Sequence, residues 1–294
     1  MANRLSKASL LKWRQARGGS SIGVTRCGET AFHWGERTYV MGIINVSPDS
    51  FSGDGLAGVN AALAQAQRFV AEGVDIIDVG GESTRPGSAP ISVDEELRRV
   101  IPVLERLAGE ITLPLSVDAY KFEVARQALD AGARMINDIW GLKKEPRLAE
   151  LAAERGVPII LMSNQRDKPC RNIMPVVLSD LVRAIDLALD GGVAWENIIV
   201  DPGVGFGKTL EQNLKIVRRL DELKVLGRPI LLGTSRKSMI GLVLDLPMEQ
   251  RLEGTAASIA IGITRGADIV RVHDVREMVR VCRMSDAIIR SRGS

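Results

Sequence analysis

Aromatic residues, cysteines and long apolar runs are all scarce in this chain of 294 residues. No apolar run approaches the roughly 18–20 residues that a membrane-spanning helix needs, so we expect no membrane association. Cys27, Cys170 and Cys282 lie far apart and lack CxxC spacing, which argues against a disulfide scaffold or structural zinc and indicates a reducing compartment, the cytoplasm. With 45% hydrophobic and 26% charged residues, the composition excludes a disordered or collagen-like chain.

A strong excess of one charge is also missing, since 39 basic and 36 acidic residues give a formal net charge of +3. The excess comes from residues 1–28, which hold Arg4, Lys7, Lys12, Arg14, Arg17 and Arg26 and no acid. Because the remaining chain is slightly acidic, we expect no nucleic-acid partner. We predict a basic N-terminal extension over residues 1–23, a solvated tail or short helix rather than a transit peptide, followed by one domain over residues 24–290.

From residue 39 onward, short β-branched runs alternate with stretches of helical periodicity. We predict eight strands, each followed by a helical pattern: Tyr39–Val46, Asp75–Gly80, Pro114–Asp118, Met135–Ile139, Pro158–Met162, Asn197–Asp201, Pro229–Gly233 and Ile269–Asp274. Their apolar residues are consecutive, as expected of parallel strands covered on both faces. Eight such units in about 250 residues predict a single-domain (β/α)8 TIM barrel of the α/β class, with a doubly wound open sheet as the alternative.

Two local patterns support the barrel. Glycines end several predicted helices just before the next strand, as in αβ loops: Gly73, Gly132, Gly156, Gly192 and Gly266. A further helix is predicted over Leu210–Leu223. Residues 24–36 predict a small hairpin, which we expect to close the bottom of the barrel.

Polar residues follow nearly every predicted strand, at the end where TIM-barrel chemistry takes place. A single Asp or Asn there is often a helix cap or turn residue, and a lone His is more often structural. Here, however, Asp118, Asn137 and Asp201 would converge on one opening. We therefore predict a binding site at the carboxyl ends of the strands.

The residues at these ends divide into two chemical kinds. Two acids and an amide suit in-plane hydrogen bonds with a flat heterocycle rich in amino and lactam groups. Positive charge comes from Arg85, Arg236, Lys237, Arg271 and His273, in part after the last two strands, where many barrels bind phosphate. Together they fit a planar ring attached to an anionic leaving group. The segment DPGVGFGKT is not a P-loop, because Pro202 stands where the first glycine is required.

Seven segments form a recognisable set: MGIINVSPDSFS (41–52), DVGGESTRPG (78–87), SVD (116–118), IND (136–138), DPGVGFGK (201–208), TSRKSMIG (234–241) and RVHDV (271–275). Together these segments resemble the dihydropteroate synthase family. They cover almost the whole predicted barrel in order. The resemblance implies condensation of 7,8-dihydropterin pyrophosphate with p-aminobenzoate to 7,8-dihydropteroate and pyrophosphate in folate synthesis, with Mg²⁺ as cofactor and a homodimer as assembly.

The resemblance also implies a role for each matching residue. Asp118, Asn137, Asp201 and Lys237 would hold the pterin, with Met162 packing nearby and Arg271 stacking on the ring. Asn45, Thr84, Arg271 and His273 would bind the pyrophosphate, and Asn45 would contact Mg²⁺. Thr84, Pro86, Gly205, Phe206 and Ser235 would shape the p-aminobenzoate pocket. The catalytic residues would be Lys237, Asp118, Asp201 and Arg85, and the loop residues Ser47, Pro48, Asp49, Ser50 and Phe51 would close over the site.

Some departures from the family pattern stand out. The fifth strand ends LMSN (161–164) instead of in a Met-His pair, Ala119 replaces a common Thr, and Asp54 is shifted by one position, which leaves its pairing with Arg85 open. Sensitivity or insensitivity to sulfonamides is also left open.

Two other functions fit parts of this pattern. A pterin-dependent methyltransferase would share the barrel but has no use for the ESTRP and SRK groups. A non-catalytic pterin-binding paralogue would be expected to lose Asn45, Lys237 or Arg271, and all three are present.

Overall fold

The computed structural model describes residue 13 and residues 23–46, 55–83 and 88–290. An antiparallel hairpin, β1 (Val24–Cys27) and β2 (Thr30–His33), precedes the barrel. The barrel strands are β3 (Tyr39–Asn45), β4 (Ile76–Gly80), β5 (Leu115–Asp118), β6 (Met135–Asp138), β7 (Ile159–Met162), β8 (Ile198–Asp201), β9 (Leu231–Leu232) and β10 (Ile269–Val272).

Helices lie between the barrel strands and cover them. They are α1 (Gly55–Glu72), α2 (Val93–Ala108), α3 (Phe122–Asp130), α4 (Leu148–Arg155), α5 (Ile173–Asp190), α6 (Leu210–Arg218), α7 (Ser238–Leu244), α8 (Leu252–Thr264) and α9 (Val275–Ile289). Short 3-10 helices occupy Trp195–Asn197, Leu220–Leu226 and Met248–Gln250. Within the described ranges, no helix is both long and apolar enough to cross a membrane.

The eight barrel strands form one parallel sheet in the order β8-β7-β6-β5-β4-β3-β10-β9. A parallel bridge between Val200 and Ile230 brings its two outer strands together. The TIM-barrel prediction is therefore confirmed. The observed strands start later than predicted where the first predicted residue is a proline, since Pro114, Pro158 and Pro229 have no N–H to donate to a strand ladder.

The predicted helix ends are confirmed in five places and wrong in one. The glycine caps are confirmed by positive φ angles at Gly73, Gly132, Gly156, Gly192 and Gly266. The single helix predicted over Leu210–Leu223 is wrong, because α6 ends at Arg218 and a 3-10 helix follows from Leu220.

The hairpin closes the amino-terminal end of the barrel. Its Cys27, Phe32 and Trp34 pack in one cluster with inward-facing residues of the strands, among them Tyr39 and Met41. Phe32 and Tyr39 meet edge to face with ring centres 4.9 Å apart. The prediction that this segment closes the bottom is confirmed, and it leaves the carboxyl ends of the strands as the open side.

Trp13 shows that the N-terminal extension packs on the barrel at this residue. It is 4% exposed, its ring centre lies 5.6 Å from that of Trp195, and its Nε1 donates to Asp186 at 2.8 Å. Residue 13 is helical and buried, so at this position the short-helix form of the prediction fits and the solvated-tail form does not. Burial of an indole of this size adds apolar contact that a solvated tail would not make.

Candidate active site

Strand register places the predicted site residues side by side. Asn45 of β3 pairs with Gly80 of β4, Gly80 pairs with Asp118 of β5, and Asp118 pairs with Asn137 of β6. A Cβ atom at Gly80 would lie 3.3 Å from the Cβ of Asp118, which is tighter than ordinary packing. The glycine thus leaves room for the Asp118 side chain.

A cavity of about 290 Å³ opens at the carboxyl ends of the strands. Its lining brings together every predicted site residue that the structure describes: Asn45, Asp118, Asn137, Met162, Asp201, Gly205, Phe206, Ser235, Lys237, Arg271 and His273. The predicted residues Ser47, Pro48, Asp49, Ser50 and Phe51 and the predicted Thr84, Arg85 and Pro86 lie outside the described residues. The convergence expected from the strand ends is present.

Arg271 joins two carboxylates at one side of the cavity. Its Nε donates to Asp78 Oδ2 at 2.7 Å and its Nη2 donates to Asp118 Oδ2 at 2.8 Å. Asn137 Nδ2 also donates to Asp78 Oδ2, at 3.0 Å. Burial lowers the pKa of Arg271, but Asp78 and Asp118 outweigh it and raise that pKa, so the guanidinium stays charged.

Burial disfavours the charged forms of the two predicted ring-binding carboxylates, Asp118 and Asp201. Burial raises the pKa of Asp118 to about 7, against the lowering effect of Arg271. Burial also raises the pKa of Asp201, whose Oδ1 accepts a hydrogen bond from the Gly203 amide at 2.7 Å. A cation arriving between them would relieve the cost of both charges.

Lys237 supplies positive charge to the same cavity, where Asp201 and Asp118 act on it. Burial and, next, Arg271 lower its pKa to about 8. Its Nζ lies 4.4 Å from the centre of the Phe206 ring, whose other neighbour is the Arg166 guanidinium, 4.6 Å from the same centre. Gly205 has φ +85°, and a Cβ there would lie 3.2 Å from Lys237 Cδ, so a glycine is required beside this lysine.

His273 and Arg236 do not provide the positive charge that the sequence predicts of them. Burial, with Arg271 next, lowers the pKa of His273 to about 3, so its imidazole is neutral at ordinary pH. Its Nδ1 shares a hydrogen bond with Ser235 Oγ at 3.0 Å. Arg236 forms a two-pronged ion pair with Asp274, with Nε donating to Oδ2 at 3.0 Å. Its charge is therefore largely compensated within the protein.

The side chain of Lys208 fixes the backbone of segment 201–208 by hydrogen bonds. The Nζ of this buried side chain donates to the carbonyl oxygens of Ser163 and Gly203, both at 2.8 Å, and of Phe206 at 3.3 Å. Because these bonds fix the backbone on either side of Gly205, Lys208 positions the Phe206 ring. The lysine that resembles a P-loop lysine thus has a structural role.

Similar proteins identify this arrangement. The sequence matches the family described as "Pterin binding enzyme" over residues 41–273. It is 51% identical over 267 residues to the dihydropteroate synthase of Clostridium beijerinckii, covering 90% of this chain and 99% of that protein. It is 49% identical to that of Bacillus subtilis, covering 90% and 93%.

Solved structures agree with the sequence comparison. A dihydropteroate synthase from Clostridium difficile, determined in the presence of pteroic acid, is 50% identical with a TM-score of 0.86 and covers 88% of this chain and 100% of that one. One from Xanthomonas albilineans with 4-aminobenzoic acid is 41% identical with a TM-score of 0.87, covering 93% and 100%. The chain belongs to the dihydropteroate synthase family. It is thus a transferase of folate biosynthesis, and the methyltransferase and non-catalytic alternatives are not favoured.

The departures at residues 119, 163 and 164 from the dihydropteroate synthase pattern leave the cavity lining intact, and Asp54 lies outside the described residues. Ser163 and Asn164 are fully buried: Ser163 Oγ donates to Asp180 at 3.0 Å, and Asn164 Nδ2 donates to the Ile139 carbonyl at 2.9 Å. Ala119 is buried, and its amide donates to the Asn137 carbonyl at 3.2 Å. These three residues therefore serve the fold behind the synthase site.

Two residues at the cavity of this synthase were missed by the sequence reasoning as site residues. Arg166 lines the mouth beside Phe206, and Asp78 lies behind the wall between Asn137 and Arg271. For Asp78 the available signal was an acid inside the apolar strand IIDVG, since a buried acid needs a partner. For Arg166 the only signal was its place two residues after the fifth strand's LMSN end.

A polar cluster fixes the position of Glu82, which follows β4. Lys121 Nζ donates to Glu82 Oε2 and to Glu96 Oε2, both at 2.6 Å. Glu82 Oε2 also accepts a hydrogen bond from the Ile91 amide at 3.2 Å. Glu82 belongs to the cavity lining, so this cluster sets the position of one wall.

Proposed function

We propose that this chain condenses 7,8-dihydropterin pyrophosphate with p-aminobenzoate, giving 7,8-dihydropteroate and pyrophosphate. The observation that carries the proposal is that one cavity holds both carboxylates whose charge is costly and cations. Asp118, Asp201, Lys237 and Arg271 all line it, and the charges of both acids act on the pKa of Lys237. This arrangement suits a substrate that separates into a ring cation and an anion.

The reaction steps follow from those charges. The bond between the pterin methylene carbon and the pyrophosphate oxygen breaks, and the electron pair leaves with the pyrophosphate. The cation left on the methylene and its electron-rich ring is stabilised by Asp118 and Asp201. The p-aminobenzoate nitrogen then attacks this carbon and loses one proton. The loops carrying Ser47–Phe51 and Thr84–Pro86 would exclude water, which would otherwise trap the cation.

We assign the ring to the deep wall and the pyrophosphate to the wall formed after β9 and β10. Asp118, Asn137, Asp201 and Lys237 hold the ring by hydrogen bonds, Met162 packs on it, and Arg271 stacks against it. Thr84 and the guanidinium of Arg271 bind the leaving pyrophosphate. Because His273 is neutral, it contributes a hydrogen bond to this anion and no charge.

The second substrate is assigned to the mouth of the cavity. Phe206 offers an aromatic face and Gly205 offers backbone, and Ser235 lies beside the start of α7. Thr84 and Pro86, which follow β4 in the sequence, would complete this pocket, with Arg85 as the nearby catalytic cation. A planar aminobenzoate in contact with the Phe206 ring is held with its amine toward the pterin carbon.

Mg²⁺ is the proposed cofactor. No group of three or more His, Cys, Asp or Glu side chains suited to a metal occurs among the residues described. The amide of Asn45 at the end of β3 nevertheless suits Mg²⁺, which prefers oxygen ligands and often takes only one or two from protein while keeping water and phosphate oxygens. Bound there, the ion would neutralise charge on the pyrophosphate.

We further propose a homodimer in the cytoplasm. The last three helices carry exposed apolar side chains, including Leu242 and Val243 of α7, Ile261 of α8, and Met284 and Ile288 of α9. Exposed apolar side chains of this kind suit contact with a second copy of the chain. Sedimentation of the wild type and of Met284→Glu tests it: a dimer that becomes a monomer supports the assignment, and a monomeric wild type contradicts it.

The decisive experiment is a pyrophosphate-release assay with dihydropterin pyrophosphate. Release that depends on both p-aminobenzoate and Mg²⁺, with dihydropteroate as product, supports the proposed reaction. Absence of turnover that depends on p-aminobenzoate contradicts it. Repeating the assay with a sulfonamide, a mimic of p-aminobenzoate, decides between a sensitive and an insensitive enzyme.

A further inference from the structure

Asp78 is a fully buried carboxylate placed directly behind the ring-binding wall. It lies on β4, and a single oxygen, Oδ2, accepts hydrogen bonds from Arg271 Nε at 2.7 Å and from Asn137 Nδ2 at 3.0 Å. Both donors belong to the cavity lining. Any movement of Asp78 is therefore passed to two side chains that face the ligand.

The contact with Asp78 decides which way the Asn137 amide points. A carboxylate only accepts hydrogen bonds, so the amide NH₂ of Asn137 must be the group directed at Asp78. The carbonyl oxygen, Oδ1, is then the group left for the cavity. With its NH₂ held by a charged partner, the amide is locked as an acceptor toward the ligand.

Burying the carboxylate of Asp78 costs more free energy than this contact requires. Its other oxygen, Oδ1, is buried and has no hydrogen-bond partner within the described part of the chain. A buried charge that is only partly satisfied costs more free energy than a neutral side chain of the same size. Stability alone therefore does not account for an acid at this place, whereas orientation of Asn137 and Arg271 does.

We propose that Asp78 is a positioning residue that holds the Asn137 carbonyl oxygen toward the cavity, so that the site requires a hydrogen-bond donor on the pterin ring at that point. The proposal rests on the proposed condensation, since the ring is its first substrate. A ring that lacks the donor would leave the Asn137 oxygen unpaired in a dry site, which is strongly unfavourable.

Asp78→Asn is the main test. The new amide can donate as well as accept, so Asn137 is free to turn over and present NH₂ to the ring. We expect the KM for dihydropterin pyrophosphate to rise by roughly tenfold or more, while the KM for p-aminobenzoate stays near its wild-type value. Asp268→Asn is the matched control: Asp268 is also buried, but it lies at the start of β10 and accepts from the Ile230 amide at 2.9 Å.

The pH profile gives a readout that a structural role would not move. Asp118 faces Arg271, Asp78, Glu96 and Lys237, and among these the charges of Asp78 and Glu96 raise its pKa. Removing the charge of Asp78 leaves Asp118 as the one carboxylate of this pair that still forms an ion pair with Arg271. The acid limb of kcat/KM for Asp78→Asn should therefore shift to lower pH than in the wild type, and the limb of Asp268→Asn should not shift.

A double-mutant cycle shows whether Asp78 acts through Asn137. In the Asn137→Ala background, adding Asp78→Asn should change the pterin KM far less than it does in the wild type. Full additivity, equal rises in both KM values, or a wild-type pterin KM in Asp78→Asn would each overturn the proposal. Wild-type protein without any condensation would instead remove the proposed function, so the two failures are distinguishable.

A measurement on the wild type keeps the proposal testable even if the Asp78 variants do not fold. The side-chain amide signal of Asn137 in a ¹⁵N NMR spectrum is identified as the one lost in Asn137→Ala. Its NH₂ protons should exchange slowly with water both in the free enzyme and with dihydropterin pyrophosphate bound. Rapid exchange in either state, or loss of protection when the ligand binds, would overturn the assignment.

Discussion

The ammonium nitrogen of Lys237 lies 4.4 Å from the centre of the Phe206 ring, so a single contact links the proposed pterin site to the proposed aminobenzoate site. Lys237 also lies among Asp118, Asp201 and Arg271, whose charges act on its pKa. In the proposed assignment, this one side chain would serve the ring, the charge balance and the shape of the second pocket.

Replacing this lysine should remove most of the activity. We expect Lys237→Ala to lower kcat/KM by more than about tenfold, because a buried cation and the packing of its stem on Phe206 are both lost. Lys224→Ala, at an exposed side chain of the 3-10 helix Leu220–Leu226, is the control and should be active as wild type. Circular dichroism checks that both fold. Wild-type rates in Lys237→Ala would exclude this lysine from the site.

The pH profile of kcat/KM should be a narrow bell. Below about pH 7 Asp118 takes up a proton and loses the negative charge that stabilises the ring cation, so the rate falls as pH falls. Above about pH 8 Lys237 loses its proton and its charge, so the rate falls as pH rises. Pyrophosphate release measured from pH 5 to 10 checks this. Asp118→Asn should lack the acid limb, and an unchanged limb in that variant would assign it to another group.

Trp13 should contribute strongly to stability although it belongs to the basic N-terminal extension. Trp13→Ala removes a buried indole, its contact with Trp195 and its hydrogen bond to Asp186. A loss of about 3–5 kcal/mol of unfolding free energy is expected from such truncations. Urea unfolding measures it, with Val225→Ala, at a side chain that is 58% exposed, as the control. Equal midpoints for the two variants would contradict the packing of Trp13.

Lys208→Met should loosen the segment 201–208. The substitution keeps the length of the side chain but leaves the Ser163 and Gly203 carbonyl oxygens without their donor. A buried acceptor left unpaired costs roughly 1–3 kcal/mol, so the melting temperature should fall. The KM for p-aminobenzoate should rise with it, because Phe206 is then less well placed. Lys168→Met on the exposed surface is the matched control, and a similar response in both variants would contradict the role of Lys208.

The sequence was sufficient to predict the location of residues at the carboxyl ends of the barrel strands. Asp118, Asn137 and Asp201 could be placed in one opening because parallel strands of a barrel end at the same side, whatever the distance between them in the chain. Gly205 could be placed at the p-aminobenzoate pocket through the family resemblance of DPGVGFGK, whereas the packing that requires a glycine at Gly80 was not predicted. The hairpin at the bottom was likewise predictable from its position before the first strand.

Pairing between side chains was not predictable in the same way. Arg236 and Asp274 each follow a different strand, and only the closed barrel brings them within bonding distance. The neutral state of His273 depends on its burial and on Arg271, neither of which is a property of the segment RVHDV. Asp78 was overlooked because an acid inside an apolar strand carries no information about which residues it will meet.

The hairpin at the amino-terminal end of the barrel leaves the carboxyl ends of the strands as the side on which the cavity opens. Asn137 and Asp201, the proposed ring-binding side chains, are buried, whereas Arg166 in the same lining is exposed. We therefore expect the ligand of the buried part of the cavity to bind before the ligand next to Arg166. A molecule bound next to Arg166 alone would then block access of the first substrate to its site.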